Sequence, residues 1–206
     1  MATTTPNYGW DVPTSTDYVK DGATAIETLG DDIDASLFSI TAGKNVGLVH
    51  INTTTISAQT SVSFSNVFSS SFDNYRLVLE CTMASGGYVT LQLAGSTTAV
   101  YDYQGWEAFR SGGTAGSGNN TTGAATHFRI GNFYAQGGGC SVELYRPFTT
   151  SRTAYTSNSG TTNADGSGST FIWGGMHRTS ASYTGFTLLA DNALTGTLRI
   201  YGYRNS

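Results

Sequence analysis

The spacing of hydrophobic residues changes once along this chain, near residue 46. Before that point Val19, Ile26, Ile33 and Ile40 recur every seven residues, with Leu29 and Leu37 between them, which predicts one short helix carrying an apolar seam. Beyond it the period is two. Tyr75, Leu77, Leu79, Cys81 and Met83 alternate with Arg76, Val78, Glu80 and Thr82, the pattern of a strand with one face on a core. Residues 89–93, 140–144 and 197–200 repeat it, and further strands are expected near 47–51, 61–68, 98–103, 126–134, 169–177 and 183–190. About ten short strands separated by Gly, Asn, Asp and Ser clusters predict a mainly β chain, an antiparallel jelly-roll-like β-sandwich.

Residues 1–13 hold two of the three prolines and no helical period, so they are expected to form an extended arm. The helix should begin near Thr14 to Asp17, where Thr14-Ser15-Thr16-Asp17 fits a capping box and places acidic character at the positive helix end. Gly22 weakens its first turn. Asp31, Asp32 and Asp34 crowd its second half and oppose the macrodipole by roughly a few tenths of a kcal/mol each. Such a helix persists only when packed. Two arrangements fit the seam: a parallel dimeric or trimeric coil about a molecular axis, or a helix lying on its own β-domain. The expected organisation is an arm and helix over 1–42 for docking and oligomerisation, followed by one sandwich over 43–206, a length that all-β domains commonly reach undivided.

Only 12% of residues are charged, against about 25% in ordinary soluble domains, and Gly, Ser and Thr are plentiful. The surface is therefore polar but nearly uncharged, which suits a protein packed against neighbours or displayed outside a cell. A net charge of -4 argues against a basic nucleic-acid footprint. No run is long enough for a membrane-spanning helix, and Met1 to Pro6 lacks the features of a secretory signal, so neither membrane insertion nor secretion is expected. Cys81 and Cys140 each fall on an alternating strand, where a small buried thiol is the usual occupant, although a disulfide between them stays open.

Chemistry-bearing constellations are sparse, and the expectation is a protein without catalytic residues, metal or cofactor. His50, His127 and His177 stand apart from one another and from metal-ligand spacing, and read as ordinary strand or surface residues. Asp73, Glu80, Asp102, Glu107, Glu143, Asp165 and Asp191 are the acids available in the body for a glycosidase-type pair. Tyr101, Tyr103 and Trp106, with Phe109, precede a glycine-rich stretch and form a candidate glycan contact, since aromatic faces stack on sugar rings; the competing reading puts them in the core, with Trp106 closing the sandwich end. Residues 111–123 and 157–168 contain little to bury and are expected to be solvated loops. Asn163 to Gly168 resembles part of a calcium loop but lacks its ligand spacing and reads as a tight turn.

The opening segment carries a resemblance. Asn7-Tyr8-Gly9-Trp10, Pro13, Ser15-Thr16-Asp17-Tyr18-Val19-Lys20-Asp21-Gly22-Ala23, Ala25-Ile26, Leu29-Gly30-Asp31 and Ile33-Asp34 are similar to the N-terminal region of tailed-bacteriophage structural proteins of the tail-fibre and minor-tail kind. Phe64 to Phe68 and Phe72 to Leu77 resemble the first strands of jelly rolls carried by the same proteins. This implies a homotrimeric virion component, assembled in the bacterial cytoplasm. Tyr8, Trp10 and Pro13 would dock on another virion protein of tail, baseplate or capsid, and Val19, Ile26, Leu29, Ile33 and Leu37 would bring chains together. A tail component, a capsid decoration or head fibre, and a free carbohydrate-binding jelly-roll lectin are the three roles that remain open, with a host-surface glycan as the further partner.

Overall fold

The computed structural model describes residues 3–14, 18–41, 47–109 and 119–204. The chain divides into two compact units, Met1–Val46 and Gly47–Ser206.

In the first unit the expected arm is extended in two pieces that fold back on each other. Strand β1 (Thr3–Thr4) pairs antiparallel with β2 (Asp11–Val12). Gly9 turns the chain at a φ of 68°, a conformation open to a residue without Cβ. Its N–H donates to the Thr5 carbonyl, and Thr5 Oγ1 accepts the Trp10 N–H at 3.0 Å. Tyr8 then stacks on Trp10 with ring centroids 5.1 Å apart. Helix α1 follows as Val19–Thr41, unbroken across Gly22 and Gly30. Most of the expected capping box, residues 15–17, lies outside the described residues, as does the side chain of Val19.

The second unit is mainly β, a nearly closed antiparallel sandwich. Its strands are β3 (Leu48–Phe64), β4 (Phe72–Met83), β5 (Gly87–Leu93), β6 (Tyr101–Phe109), β7 (Asn119–Ala125), β8 (Phe128–Phe133), β9 (Gly138–Tyr145), β10 (Ala154–Thr162), β11 (Gly168–His177) and β12 (Phe186–Arg204). The hydrogen-bonded order is β7-β6-β11-β10-β9-β4-β12-β5-β8, with β3 also on β12. The long β12 belongs to both layers. Leu194 to Arg204 pair with β4, while Phe186 to Ala190 pair with β5, and a register break at Leu189/Leu194 bends the strand between them. The antiparallel pair of β5 and β8 thereby returns over β10, where Tyr155 Oη donates to the Arg129 carbonyl and Ser157 Oγ to that of Ile130.

The core is set by alternation. Tyr75, Leu77, Leu79, Cys81 and Met83 of β4 point inward against Val89, Leu91 and Leu93 of β5 and Val142 and Leu144 of β9. Cys81 and Cys140 are free thiols, both buried; burial pushes the Cys81 thiol up to about 12 and that of Cys140 higher still.

Two expectations need correction. The segments 47–51 and 61–68 are not separate strands: β3 runs through 52–60 as well, a Thr-rich stretch whose β-branched residues favour extended backbone, with an irregularity at Ala58, held at a φ of 49°. The supposed loop 157–168 contains most of β10. Ser157, Ser159 and Thr161 are buried in alternation and donate to backbone carbonyls, so a strand without large apolar residues still has an inner face. Only residues 163–167 form the expected tight turn, closed by Asn163 N–H to the Ser167 carbonyl and by Asp165 accepting the Ser167 N–H. Of the other glycine-rich stretch, residues 110–118 lie outside the described residues and 119–123 belong to β7.

Candidate functional site

The register of β6, β11 and β10 decides what the outer face of the sheet presents. Asn158, Ile172 and Trp106 form one cross-strand row, and Thr156, Gly174 and Gln104 form the next. Trp106 is 57% exposed and Ile172 55%, large values for residues in mid-strand. Gly174 lies in the adjacent row, and a Cβ added there would meet only ordinary contacts beyond 3.5 Å. The result is a groove of about 650 Å³ with Trp106 and Ile172 as an apolar wall and Gln104 and Thr156 offering hydrogen bonds on either side of a bare floor. Beyond the floor the half-exposed Met176 pairs across to Asp102, which lies 3.7 Å from the Arg178 guanidinium.

Farther across the same face is a polar network. The Arg76 guanidinium pairs with Glu143, Tyr203 Oη donates to Glu143 Oε2 at 2.9 Å, and Tyr145 and Asn74 complete the surroundings. The Glu143 carboxylate raises the Arg76 pKa, chiefly through their hydrogen bond. Glu143 and Asp102 stand on strands three apart, about 14 Å, beyond the roughly 5–9.5 Å between the acids of a glycosidase. Glu107 faces the opposite, inner side of β6.

The sequence-level candidates separate. Trp106 is at the surface as a glycan contact requires, but in mid-strand and not at the sandwich end. Tyr101 is fully buried, its Oη accepting the Leu93 N–H and donating to the Ser96 carbonyl, so it cannot touch a ligand from outside. Tyr103 is buried edge-on against Trp173. Both alternate inward because Trp106 is out of phase with them along β6. Gln104, Thr156, Ile172 and Gly174 were not singled out from the sequence; with the register unknown, nothing marks Ile172 as Trp106's neighbour. The side chain of Phe109 is outside the described residues.

His177 is no surface residue. It is fully buried, with Nε2 2.6 Å from Ser96 Oγ and Nδ1 at the Thr179 backbone, and burial lowers its pKa. A serine on an imidazole is a nucleophile and its base in geometry, yet Ser96 is also buried and a backbone group, not a carboxylate, orients the ring. His127 is half-buried and its pKa is also lowered, by burial first and Arg129 second. No cluster of three or more potential metal ligands occurs among the described residues.

In the first unit Tyr8 and Pro13 are exposed and Trp10 is half-buried beneath Tyr8. On α1, Ile26 is 64% exposed, Leu37 56% and Ile33 36%, whereas Leu29 is half-buried. Positions 26, 33 and 37 fall along one side of a helix, so the exposed residues form a stripe. Among the described residues no helix is long and apolar enough to cross a membrane. No family model, curated protein or solved structure matches the chain.

Proposed function

We propose that the chain is a non-catalytic, self-associating virion structural protein of the tail-fibre or tail kind, whose N-terminal unit docks and assembles while the sandwich is displayed outside the particle. The observation that carries this is the exposed Ile26, Ile33 and Leu37 stripe on a seven-residue repeat. An apolar stripe at that spacing is matched by the same stripe on another copy, and each copy adds its weak docking contacts to the others through effective concentration. The arm supplies those contacts with Tyr8, Trp10 and Pro13. Threefold symmetry comes from the family resemblance, because Ile at every seventh position with Leu29 between also suits two strands. Capsid decoration or a head fibre uses the same parts on a different surface.

Light scattering of the full chain and of its Ile26→Asp, Ile33→Asp double variant tests the reading. A threefold mass that falls to that of one 21.7 kDa chain, with β circular dichroism retained, is expected. A single-chain mass for the unaltered protein overturns it.

The Trp106 groove favours a second reading, a jelly-roll lectin acting by itself. An indole wall beside Gln104 and Thr156 suits a neutral sugar, with stacking on one side and hydrogen bonds on the other. Retained binding of a host surface polysaccharide by the monomeric double variant, lost in Trp106→Ala, would support that role and separate it from assembly.

A further inference from the structure

The Trp106 groove does not end at Thr156. Thr156 is the cross-strand partner of Glu143 on β9, and Glu143 that of Arg76 on β4, so one outward row runs Gln104, Gly174, Thr156, Glu143, Arg76 across five strands. At its far end is a second hollow of about 430 Å³, where Tyr145 and Tyr203 stand with Arg76 and Glu143. The two hollows abut at the Thr156 and Glu143 pair, and together they span four strand spacings, about 19 Å.

The rows on either side supply walls. Trp106 and Ile172 stand in the row on one flank, Met176 and Tyr145 in the row on the other. Among the described residues of the second unit five large apolar side chains are exposed, and all five are in these two rows, Leu48 being the fifth, opposite Tyr203. Scattered singly such residues mean little, but gathered along one trough they mark a binding surface. Behind the Trp106 end, Gly105 lets the Trp173 indole close on the inner face of β6, where a Cβ would lie 1.9 Å from Trp173 Cε3. The trough is thus braced from inside, and little ordering is needed when a ligand binds.

Chemistry selects the occupant. The acids beside the trough, Asp102 and Glu143, each pair with an arginine, Arg178 and Arg76, so no net charge is offered to an ionic polymer. An extended peptide brings backbone N–H and C=O groups, but β11, β10, β9 and β4 pair on both edges, which leaves no strand edge here for it to join. A sugar hydroxyl both gives and takes a hydrogen bond, as Gln104, Thr156 and the Glu143 carboxylate can return, and the apolar face of its ring matches the aromatic walls. A pyranose also lengthens a glycan by about one strand spacing. We propose that the trough binds a neutral polysaccharide laid across the strands, holding about four consecutive hexopyranose units between Trp106 and Tyr145. This rests on the lectin reading of the Trp106 groove and adds to it a second subsite, at Arg76, Glu143 and Tyr145.

The test is isothermal titration of the full chain with linear neutral glucans, mannans and galactans, from disaccharide to hexasaccharide. In at least one series affinity is expected to rise about tenfold or more from disaccharide to tetrasaccharide and then to level off. Tyr145→Ala, at an exposed position, should lose most of that gain. Gly174→Leu should weaken tetrasaccharide binding by filling the floor, at a site where a Cβ meets only ordinary contacts; circular dichroism checks that both variants fold. Equal affinity for disaccharide and tetrasaccharide, or parental tetrasaccharide affinity in the folded Tyr145→Ala variant, overturns the extended site while leaving the Trp106 groove as a sugar site. No binding in any series, as when this face meets a protein instead, overturns both.

Discussion

Helix α1 and strand β10 invert the usual relation between residue type and burial. The helix leaves Ile26, Ile33 and Leu37 exposed, while the strand buries Ser157, Ser159 and Thr161. Neither is a defect. The strand's hydroxyls are small enough for a crowded interior, and each gives its proton to a backbone carbonyl: Ser157 to Ile130 of β8, Ser159 to Phe171 of β11 and Thr161 to Gly137. The helix has a seven-residue repeat, a pattern that another helix satisfies better than water does. Polarity along a chain thus reports what each position must meet, which is not always the chain's own core.

The largest break in that comparison should come from the helix. Ile26→Asp with Ile33→Asp is expected to abolish self-association outright while leaving the thermal transition of the sandwich in place, read by light scattering and calorimetry on one sample. On the β side the largest cost should fall where backbone and ring are closest. Gly105→Ala forces the Trp173 indole aside, and a loss of about 1–3 kcal/mol in denaturant unfolding is expected; an unchanged midpoint would mean the ring has room to move. Ser157→Ala should cost about 1 kcal/mol or somewhat more, since it removes a 2.5 Å hydrogen bond in a buried setting. If it stabilises the fold instead, the buried hydroxyls of β10 are tolerated rather than needed.

Acid should weaken the sandwich by a smaller amount. Burial holds His177 and His127 below the ordinary value of 6.5. Above that pH folded and unfolded chains are both neutral at these rings and nothing changes. As pH falls below 6.5 the unfolded chain takes up protons first, so stability declines across the window between 6.5 and the depressed folded values. Melting temperature against pH should show this decline, and His177→Gln should flatten it. Trp106→Ala should do least, within about 0.5 kcal/mol, because its ring stands in solvent; any larger loss would make it a packing residue.

Much of the architecture was legible because it rests on large residues in alternation: β4, β5, β9 and the end of β12 are visible in Leu, Val, Tyr and Cys at every second position. The middle of β3 and all of β10 were not, since their inner positions are occupied by Thr and Ser, residues equally at home in loops. At the candidate site Trp106 could be found from its type. Its neighbours could not, because Ile172, Gly174 and Thr156 become neighbours only through strand register, which one sequence does not reveal. Ile26 and Ile33 could be picked out from their spacing alone, whereas their exposure became visible only in the structure.

Strand β3 is the first strand of the body, and among the described residues it pairs only with β12, from Leu48 opposite Tyr203 to Phe64 opposite Phe186. A pull applied at Leu48 along the axis of β3 meets that ladder in shear, so its hydrogen bonds resist together and do not open one after another. β12 then spreads the load to β4 and β5, one in each layer. The β3–β12 ladder is therefore the place where the sandwich would resist axial load most strongly.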